Sequence, residues 1–333
     1  MTTNPPRTFD TSSAIGDLAT VRDWLRYAVS RFSAARLVYG HGTSTALDEA
    51  AFLVLTALDL PIHSLDPWLD ARLLRDERMR VLDLIERRIA TRKPAPYLVG
   101  AAWIGDHRFE IDERVIVPRS FIGELLLRDG LGAVVAERGE VRRVLDLCTG
   151  SGCLAILAAL EFPAAEVDAV DISTGALDVA ARNVVAYELE QRISLQNSDL
   201  FSVLGTRRYD LVISNPPYVT AAAVRNFPPE YRAEPVVAHL GGEDGLDIVR
   251  RVLDAAADHL TDGGSLVVEI GRGRGALEAA YPDLPFLWLD TEDSEGEVFA
   301  LSAADLATLR RARVAGNRKR SRSGSAKARG AGQ

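Results

Sequence analysis

The fold of this chain is decided by ten consecutive residues, Val144-Leu145-Asp146-Leu147-Cys148-Thr149-Gly150-Ser151-Gly152-Cys153. The apolar start of this stretch predicts a buried strand, and a helical pattern follows it over residues 154–162. Glycines between a strand and a helix let the backbone turn tightly and approach a ligand closely. Asp171 ends the next predicted strand, where an acid can bind both hydroxyls of an adenosyl ribose. Together these features predict a nucleoside-bearing cofactor at the carboxyl ends of parallel strands.

The glycine loop by itself leaves two kinds of cofactor open. The pattern Gly150-x-Gly152-x-x-Ala155 satisfies the fingerprint of dinucleotide-binding proteins. An Asp-x-x-x-Gly-x-Gly loop directly after the first strand, as in residues 146–152, resembles the loop of S-adenosylmethionine-dependent methyltransferases more closely.

Strands and helices alternate outward from this loop. The pattern predicts strands at 144–147, 167–170, 194–196, 211–214, 265–270, 286–289 and 298–301, and helices at 154–162, 176–187 and 248–260. Repeated strand–helix units predict an α/β fold of Rossmann-like type, with a doubly wound, mostly parallel sheet.

The amino-terminal part of the chain has a different pattern. Apolar residues recur at helical spacing within residues 13–92, and Lys93-Pro94-Ala95-Pro96 then interrupts the pattern. Two short extended runs at 101–104 and 115–117 predict a β-hairpin. We therefore divide the chain into four parts: a small all-helical domain (1–95), a hairpin connector (96–117), a catalytic domain (118–306) and a tail (307–333).

The composition excludes several protein classes. Hydrophobic residues make up 47% and charged residues 26% of the 333 residues, which is typical of globular domains. The chain has only two cysteines, which excludes a disulfide framework and a Cys-rich zinc site, and the histidines lack metal-ligand spacing, so we expect no metal. Neither a membrane span nor a signal peptide is evident, and we expect a soluble, cytoplasmic protein without membrane contact.

The charge of the chain is unevenly distributed. Residues 310–333 contain nine Lys or Arg and no acid; because the whole chain carries −8, the remaining residues carry −17. The biased composition of the tail predicts disorder. Two interpretations are open: a solvated extension without function, or an electrostatic arm that binds the phosphates of a nucleic acid.

The second decisive motif is Asn215-Pro216-Pro217-Tyr218, which follows the predicted strand at 211–214. The consecutive prolines stiffen the backbone and remove two donors, so that carbonyl groups are free to face a ligand. The Asn215 side chain and the Pro216 carbonyl can accept both N–H groups of an amide or an exocyclic amino group, and the Tyr218 ring can stack on its plane. This motif predicts methyl transfer to a planar nitrogen, without a metal or a covalent nucleophile.

The two motifs together resemble the family of methyltransferases that modify glutamine side-chain amides in peptide release factors and in one ribosomal protein. Further strings resemble the branch that acts on the third large-subunit ribosomal protein, uL3: residues 31–35, 39–43, 112–120, 123–125, 148–153 and 230–235. The resemblance extends from about Thr20 to Leu301. The release-factor branch has Pro-Arg-Pro where this chain has Pro118-Arg119-Ser120, a difference that favours the ribosomal-protein branch.

The resemblance implies S-adenosylmethionine as cofactor, a glutamine of uL3 as substrate, either free or within an assembly intermediate, and roles for particular residues. Asp171 is implied to hold the ribose, Asp199 the adenine amino group and Asn215 the glutamine amide, while 269–271 border the site. The implied cofactor-binding set is Asp146, Thr149, Gly150, Gly152, Asp171, Ile172, Asp199, Leu200 and Asn215. Substrate binding is assigned to Asn215, Pro216, Pro217, Tyr218, Arg119 and Glu124, with Asn215, Pro216 and Tyr218 as the catalytic residues.

Several alternatives stay open. The chain could be a release-factor glutamine methyltransferase or an amino methyltransferase acting on adenine or guanine in nucleic acid, although the negative body disfavours a broad duplex-binding face. A non-catalytic assembly factor would bind the cofactor without transferring a methyl group. Without the resemblance, Asp199 is explained equally well as a helix N-cap or as a ligand of the cofactor, and Glu124 equally well as a solvated acid or as a residue of the site. The segment 220–245 is either a plain connector or a substrate lid.

Overall fold

The computed structural model describes residues 11–310 except residues 130, 136 and 293. The described chain divides into two units. The helical unit contains the residues up to Arg119 together with the later segment Asn226–Pro235. The sheet unit contains Ser120–Arg225 and the chain from Val236 onward. Ten residues from the middle of the predicted catalytic domain thus belong to the helical unit.

The helical unit is built from five helices around its own apolar core. They are α1 (Thr11–Asp17), α2 (Val21–Ala35), α3 (Ala46–Ala57), α4 (Arg75–Thr91) and α5 (Ala95–Val99). Helix α2 begins with a capping box in which Thr20 and Asp23 satisfy each other's backbone N–H groups. Trp24 and Phe32, on the buried face of this helix, are fully buried. The helical pattern of the amino-terminal part is therefore confirmed.

The hairpin of the helical unit differs from the prediction in its second strand. Strands β1 (Ala101–Ile104) and β2 (His107–Glu110) pair antiparallel across a two-residue turn, with Gly105 at φ 55°. A positive φ at this position is typical of the tight turns that reverse a hairpin. The prediction of a strand at 115–117 was wrong: β1 pairs with β2 across the short turn, and Val115 and Val117 are buried without belonging to a strand.

Buried carboxylates hold the segment Asn226–Pro235 in the helical unit. Glu230, fully buried, accepts hydrogen bonds from the Val38 amide (3.1 Å) and the Arg92 guanidinium (2.5 Å). Glu234 is 3% exposed and accepts from the Val117 amide at 2.8 Å. Because a buried charge is costly unless it is paired, these contacts explain why both acids tolerate burial.

A seven-stranded sheet is the frame of the sheet unit. Its strands are β3 (Arg143–Leu147), β4 (Glu166–Asp171), β5 (Ile193–Asn197), β6 (Tyr209–Ser214), β7 (Leu260–Glu269), β8 (Leu287–Leu289) and β9 (Val298–Ser302). The order is β5-β4-β3-β6-β7-β9-β8, and the pairs from β5 to β7 are parallel, whereas β9 lies antiparallel to both of its neighbours. This confirms the predicted α/β, Rossmann-like, mostly parallel sheet.

The helices of the sheet unit connect these strands. They are α6 (Phe121–Asp129), α7 (Cys153–Glu161), α8 (Thr174–Ala186), α9 (Ala221–Arg225), α10 (Asp247–His259) and α11 (Arg274–Ala280). A core of buried residues that includes Leu145, Val212, Val249 and Leu277 joins the sheet to α10 and α11. The strand order reverses between β3 and β6, and ligands of open α/β sheets bind at the carboxyl ends of the strands at such a point.

Neither a membrane-spanning helix nor a metal cluster is found among the described residues. None of their helices combines the length and the apolar character needed to cross a membrane. Within the same part of the chain, no group of three or more His, Cys, Asp or Glu side chains is arranged to hold a metal ion.

Candidate active site

The glycine loop between β3 and α7 takes an unusual backbone path. Cys148, Gly150 and Gly152 all have positive φ, at 60°, 55° and 79°. A Cβ atom at Gly152 would lie 3.1 Å from the Cβ atom of Ala180 on α8. Gly152 therefore allows both the turn and the close approach of α8, whereas the left-handed conformation of Cys148 was not predicted from the sequence.

Asp146 is fully buried beneath this loop. Its Oδ2 atom accepts hydrogen bonds from the Thr149 hydroxyl at 2.6 Å and the Ala155 amide at 3.1 Å. Burial raises the pKa of Asp146 to about 7, although both hydrogen bonds lower it. Its Oδ1 atom has no hydrogen-bond partner among the described residues. A buried acceptor without a partner suits a donor group from a ligand, as a cofactor in this loop would provide.

Asp171 connects the end of β4 to the same loop. Its carboxylate accepts from the Gly150 amide at 2.9 Å and from the Ser173 amide at 2.8 Å. Burial raises its pKa, and these backbone hydrogen bonds lower it. Ile172 follows with an unusually exposed apolar side chain (59%). An acid with spare acceptor sites beside an exposed apolar side chain fits a ribose with an adjoining base.

The last predicted cofactor residues follow β5. The Asp199 carboxylate forms an ion pair with Arg251 of α10 at 2.8 Å, and both side chains are about half exposed. Leu200 is buried and has a φ of 52°. Arg251 carried no signal in the sequence, because it lies 52 residues from Asp199.

The Asn215-Pro216-Pro217-Tyr218 motif begins directly after β6, the strand next to β3. Ser214 and Leu147 are register partners, and the Ser214 hydroxyl donates to the Leu147 carbonyl at 2.9 Å. The structure thus brings the motif to the same edge of the sheet as the glycine loop and Asp171, at the carboxyl ends of parallel strands.

A glycine-rich turn at 241–245 packs against the backbone of Pro217 and Tyr218. The Gly241 amide donates to the Val219 carbonyl at 2.9 Å. A Cβ atom at Gly241 would lie 2.7 Å from the Pro217 carbonyl oxygen, and one at Gly245 would lie 2.3 Å from the Tyr218 carbonyl oxygen. Only glycine fits at these two positions, so the close packing of the turn restricts the backbone of the motif. The glycine-rich string itself was the signal that could have identified this role.

Tyr218 also contacts the end of β7. Its hydroxyl donates to the buried carboxylate of Glu269 at 3.2 Å. The sequence placed residues 269–271 at the border of the site, without identifying this contact.

The remaining predicted substrate-binding residues lie in different units. Arg119, in the helical unit, makes a bidentate ion pair with Glu234, with nitrogen–oxygen distances of 2.7 and 3.0 Å. Glu124, on α6 of the sheet unit, accepts from the Glu292 amide at 3.1 Å. Both side chains therefore have protein partners, and their roles in substrate binding stay predictions.

Comparisons with known proteins find similarity to methyltransferases. The family model of the methyltransferase small domain matches residues 130–227. A ribosomal protein uL3 glutamine methyltransferase of Bradyrhizobium diazoefficiens is 56% identical over 296 residues, which covers 87% of this chain and 93% of that protein. A protein of the same name from Bordetella pertussis is 54% identical over 292 residues, covering 88% of this chain and 98% of that protein.

Two solved structures that match this chain have lower sequence identity to it. The hMettl16 catalytic domain in complex with the MAT2A 3'UTR hairpin 6 is 15% identical, with a TM-score of 0.46, and the match covers 68% of this chain and 81% of that one. A ribosomal protein L11 methylase from Lactobacillus delbrueckii subsp. bulgaricus is 22% identical, with a TM-score of 0.36, and covers 54% of this chain and 75% of that one.

Proposed function

The chain belongs to the ribosomal protein uL3 glutamine methyltransferase family, and we propose that it methylates the side-chain amide nitrogen of a glutamine in uL3. S-adenosylmethionine is the methyl donor. The observation that carries this proposal is the high identity to curated relatives along nearly their whole length.

The cofactor supplies a methyl group that is already activated on a sulfonium and leaves a neutral thioether. Four features of the chain suit it as a binding site: the glycine loop at Gly150 and Gly152, the free Oδ1 of buried Asp146, Asp171 for the ribose hydroxyls, and Asp199 for the adenine amino group. Ile172 offers an apolar surface for the base. These roles fit the positions of the residues at one edge of the sheet.

The protein's task in this reaction is mainly positioning. An amide nitrogen is a poor nucleophile because its lone pair is delocalised. The Asn215 side-chain oxygen and the Pro216 carbonyl accept its two N–H bonds, raise its electron density and stabilise the positive charge that develops there. The amide nitrogen takes the methyl group as the sulfur–carbon bond breaks, and it then releases one of its two protons to water, which leaves a neutral secondary amide. Tyr218 stacks on the amide plane and limits its rotation. Such alignment can contribute ~7–11 kcal/mol to catalysis at best.

The decisive experiment offers three candidate substrates in parallel: uL3, a peptide release factor and nucleic acid. Labelled methyl from S-adenosylmethionine is expected on uL3, and mass spectrometry should locate the added methyl on one glutamine. Label on the release factor alone, or on nucleic acid alone, would refute the proposed substrate. Asn215→Ala should abolish most of the transfer, because this side chain is assigned to the amide.

We also propose a cytoplasmic location and an RNA contact through the basic tail. The tail lies almost entirely outside the described residues, which end at residue 310. Its nine cations and lack of acids support electrostatic binding to phosphates. Deleting residues 311–333 should weaken binding to ribosomal RNA, and the binding of the full chain should fall steeply as salt rises. Equal RNA binding with and without the tail would refute this role.

A further inference from the structure

Glu269 is a buried acid at the end of β7 with a complete set of donors. Its Oε2 atom accepts from the Ser120 hydroxyl at 2.7 Å and from the Phe121 amide at 2.9 Å. Its Oε1 atom accepts from the Tyr218 hydroxyl at 3.2 Å. The carboxylate is 1% exposed, so it cannot exchange these partners for bulk water. One oxygen is held by the start of α6, and the other faces the motif tyrosine.

Gly271 contacts the ring of the same tyrosine. A Cβ atom at this position would lie 2.6 Å from Cε2 and 3.1 Å from Cδ2 of Tyr218. The residue also has a φ of 51°, which disfavours any side chain. Glu269 and Gly271 therefore lie beside the two parts of Tyr218, its hydroxyl and its ring. We call this pair the tyrosine seat.

We propose that the tyrosine seat is a positioning device for methyl transfer, in which Glu269 acts through the Tyr218 hydroxyl and Gly271 through the ring. This inference rests on the proposed function, in which the Tyr218 ring stacks on the substrate amide. A ring held at its hydroxyl and packed beside Gly271 presents one orientation to that amide. The backbone turn at Gly241 and Gly245 fixes the main chain of the motif, and the seat fixes its side chain.

The charge state of Glu269 gives the seat a measurable signature. Burial raises the pKa of Glu269 to about 7, with a smaller contribution from the nearby Glu297 carboxylate. The hydrogen bonds from Ser120, Phe121 and Tyr218 lower the pKa. The carboxylate accepts from Tyr218 above this pH, whereas a proton on Oε1 competes with that hydrogen bond below it. Turnover should therefore fall as the pH decreases through about 7.

The test is a double-mutant cycle on uL3 methylation. Glu269→Gln keeps the shape of the side chain but removes its charge, and Tyr218→Phe removes the hydroxyl. Each single variant should lower kcat about tenfold, with the Kd of the cofactor unchanged, and the double variant should also be only about tenfold slower. Glu269→Gln should also lose the limb of the pH profile near 7. Independent effects that multiply to about a hundredfold, or an unchanged kcat in Glu269→Gln, would overturn the proposal.

Two matched controls separate positioning from stability. The Tyr209 hydroxyl donates to Asp168 at 2.7 Å, so that Tyr209→Phe removes another tyrosine–carboxylate hydrogen bond, at the opposite end of β6 from the motif. Gly205 also has a positive φ, 59°, but nothing lies within 4 Å of a Cβ atom added there. Gly205→Ala therefore strains the backbone as Gly271→Ala does, but it causes no steric clash. Gly271→Ala should lower kcat, whereas both controls should leave it unchanged; equal losses in the controls would overturn the role of the seat.

A measurement without substrate keeps this inference separate from the proposed function. In protein labelled with ¹³C at tyrosine Cζ, the Tyr218 signal is assigned with Tyr218→Phe. It should titrate with a midpoint near 7 in the wild type and stay constant in Glu269→Gln. If the wild type transfers no methyl to uL3, the proposed function fails, and this titration still decides whether Glu269 controls Tyr218. A Tyr218 signal that is the same in both proteins at every pH refutes the seat.

Discussion

Replacing Asp171 with alanine should cause a large and specific loss of cofactor affinity. The two carboxylate oxygens of Asp171 each accept one backbone hydrogen bond, from Gly150 and from Ser173, and each has a further lone pair. Lone pairs that the amides of Gly150 and Ser173 leave unused suit the two hydroxyls of a ribose. Because the carboxylate is charged, each hydrogen bond is worth about 1.5–3 kcal/mol.

The lower end of that range gives about 3 kcal/mol for the pair, which corresponds to a Kd for S-adenosylmethionine roughly a hundredfold weaker. Isothermal titration calorimetry with S-adenosylmethionine and with S-adenosylhomocysteine measures this change without any protein substrate. Both ligands carry the same ribose, so both should lose affinity equally.

The matched control is Asp168→Ala, three residues earlier on β4. The Asp168 carboxylate accepts from Gln196 at 2.9 Å and from Tyr209 at 2.7 Å, so its loss should lower stability. It should leave the cofactor Kd within about twofold, because Asp168 makes no contact with the glycine loop among its described bonds. A folded Asp171→Ala protein with a Kd changed less than threefold, or equal losses in both variants, would refute the ribose assignment.

Three further predictions concern the site and the stability of the two units. Gly245→Ala should lower kcat sharply, because the added methyl would meet the Tyr218 carbonyl, whereas Gly42→Ala, with a φ of 86° and open space, should leave kcat unchanged; steady-state methyl transfer compares the two. Arg88→Met should destabilise the helical unit by about 3–5 kcal/mol in urea unfolding, because the buried Glu49 carboxylate loses the guanidinium that pairs with it at 2.7 Å. The double variant Arg88→Met with Glu49→Leu should recover much of the lost stability. Because the pKa of Glu269 rises from 4.5 to about 7 on folding, the native state holds the proton more tightly, and this acid alone should lower stability by roughly 3 kcal/mol between pH 4.5 and 7. Unfolding followed across that range should show a loss of stability smaller by this amount in Glu269→Gln, whereas the contribution of Asp146, whose pKa also rises to about 7, should remain.

The sequence by itself determined the features that depend on neighbours in the chain. The apolar run before Asp146, the glycines after it and the acid at Asp171 specify a strand, a turn and the end of a second strand from local periodicity and backbone preference. The Asn215-Pro216-Pro217-Tyr218 motif is likewise contiguous. Because carboxyl ends of parallel strands meet at one edge of a sheet, the order of the elements was enough to bring these motifs together.

The tertiary structure alone decided which distant residues support them. Glu269 is 51 residues from Tyr218, and Glu234 is 115 residues from Arg119, so neither pairing leaves a periodic trace in the sequence. The strand wrongly expected at 115–117 shows the same limit, since extended apolar residues can be buried by packing as well as by pairing. A buried carboxylate is stable only where donors from several elements converge on it, and that convergence is a property of the folded chain.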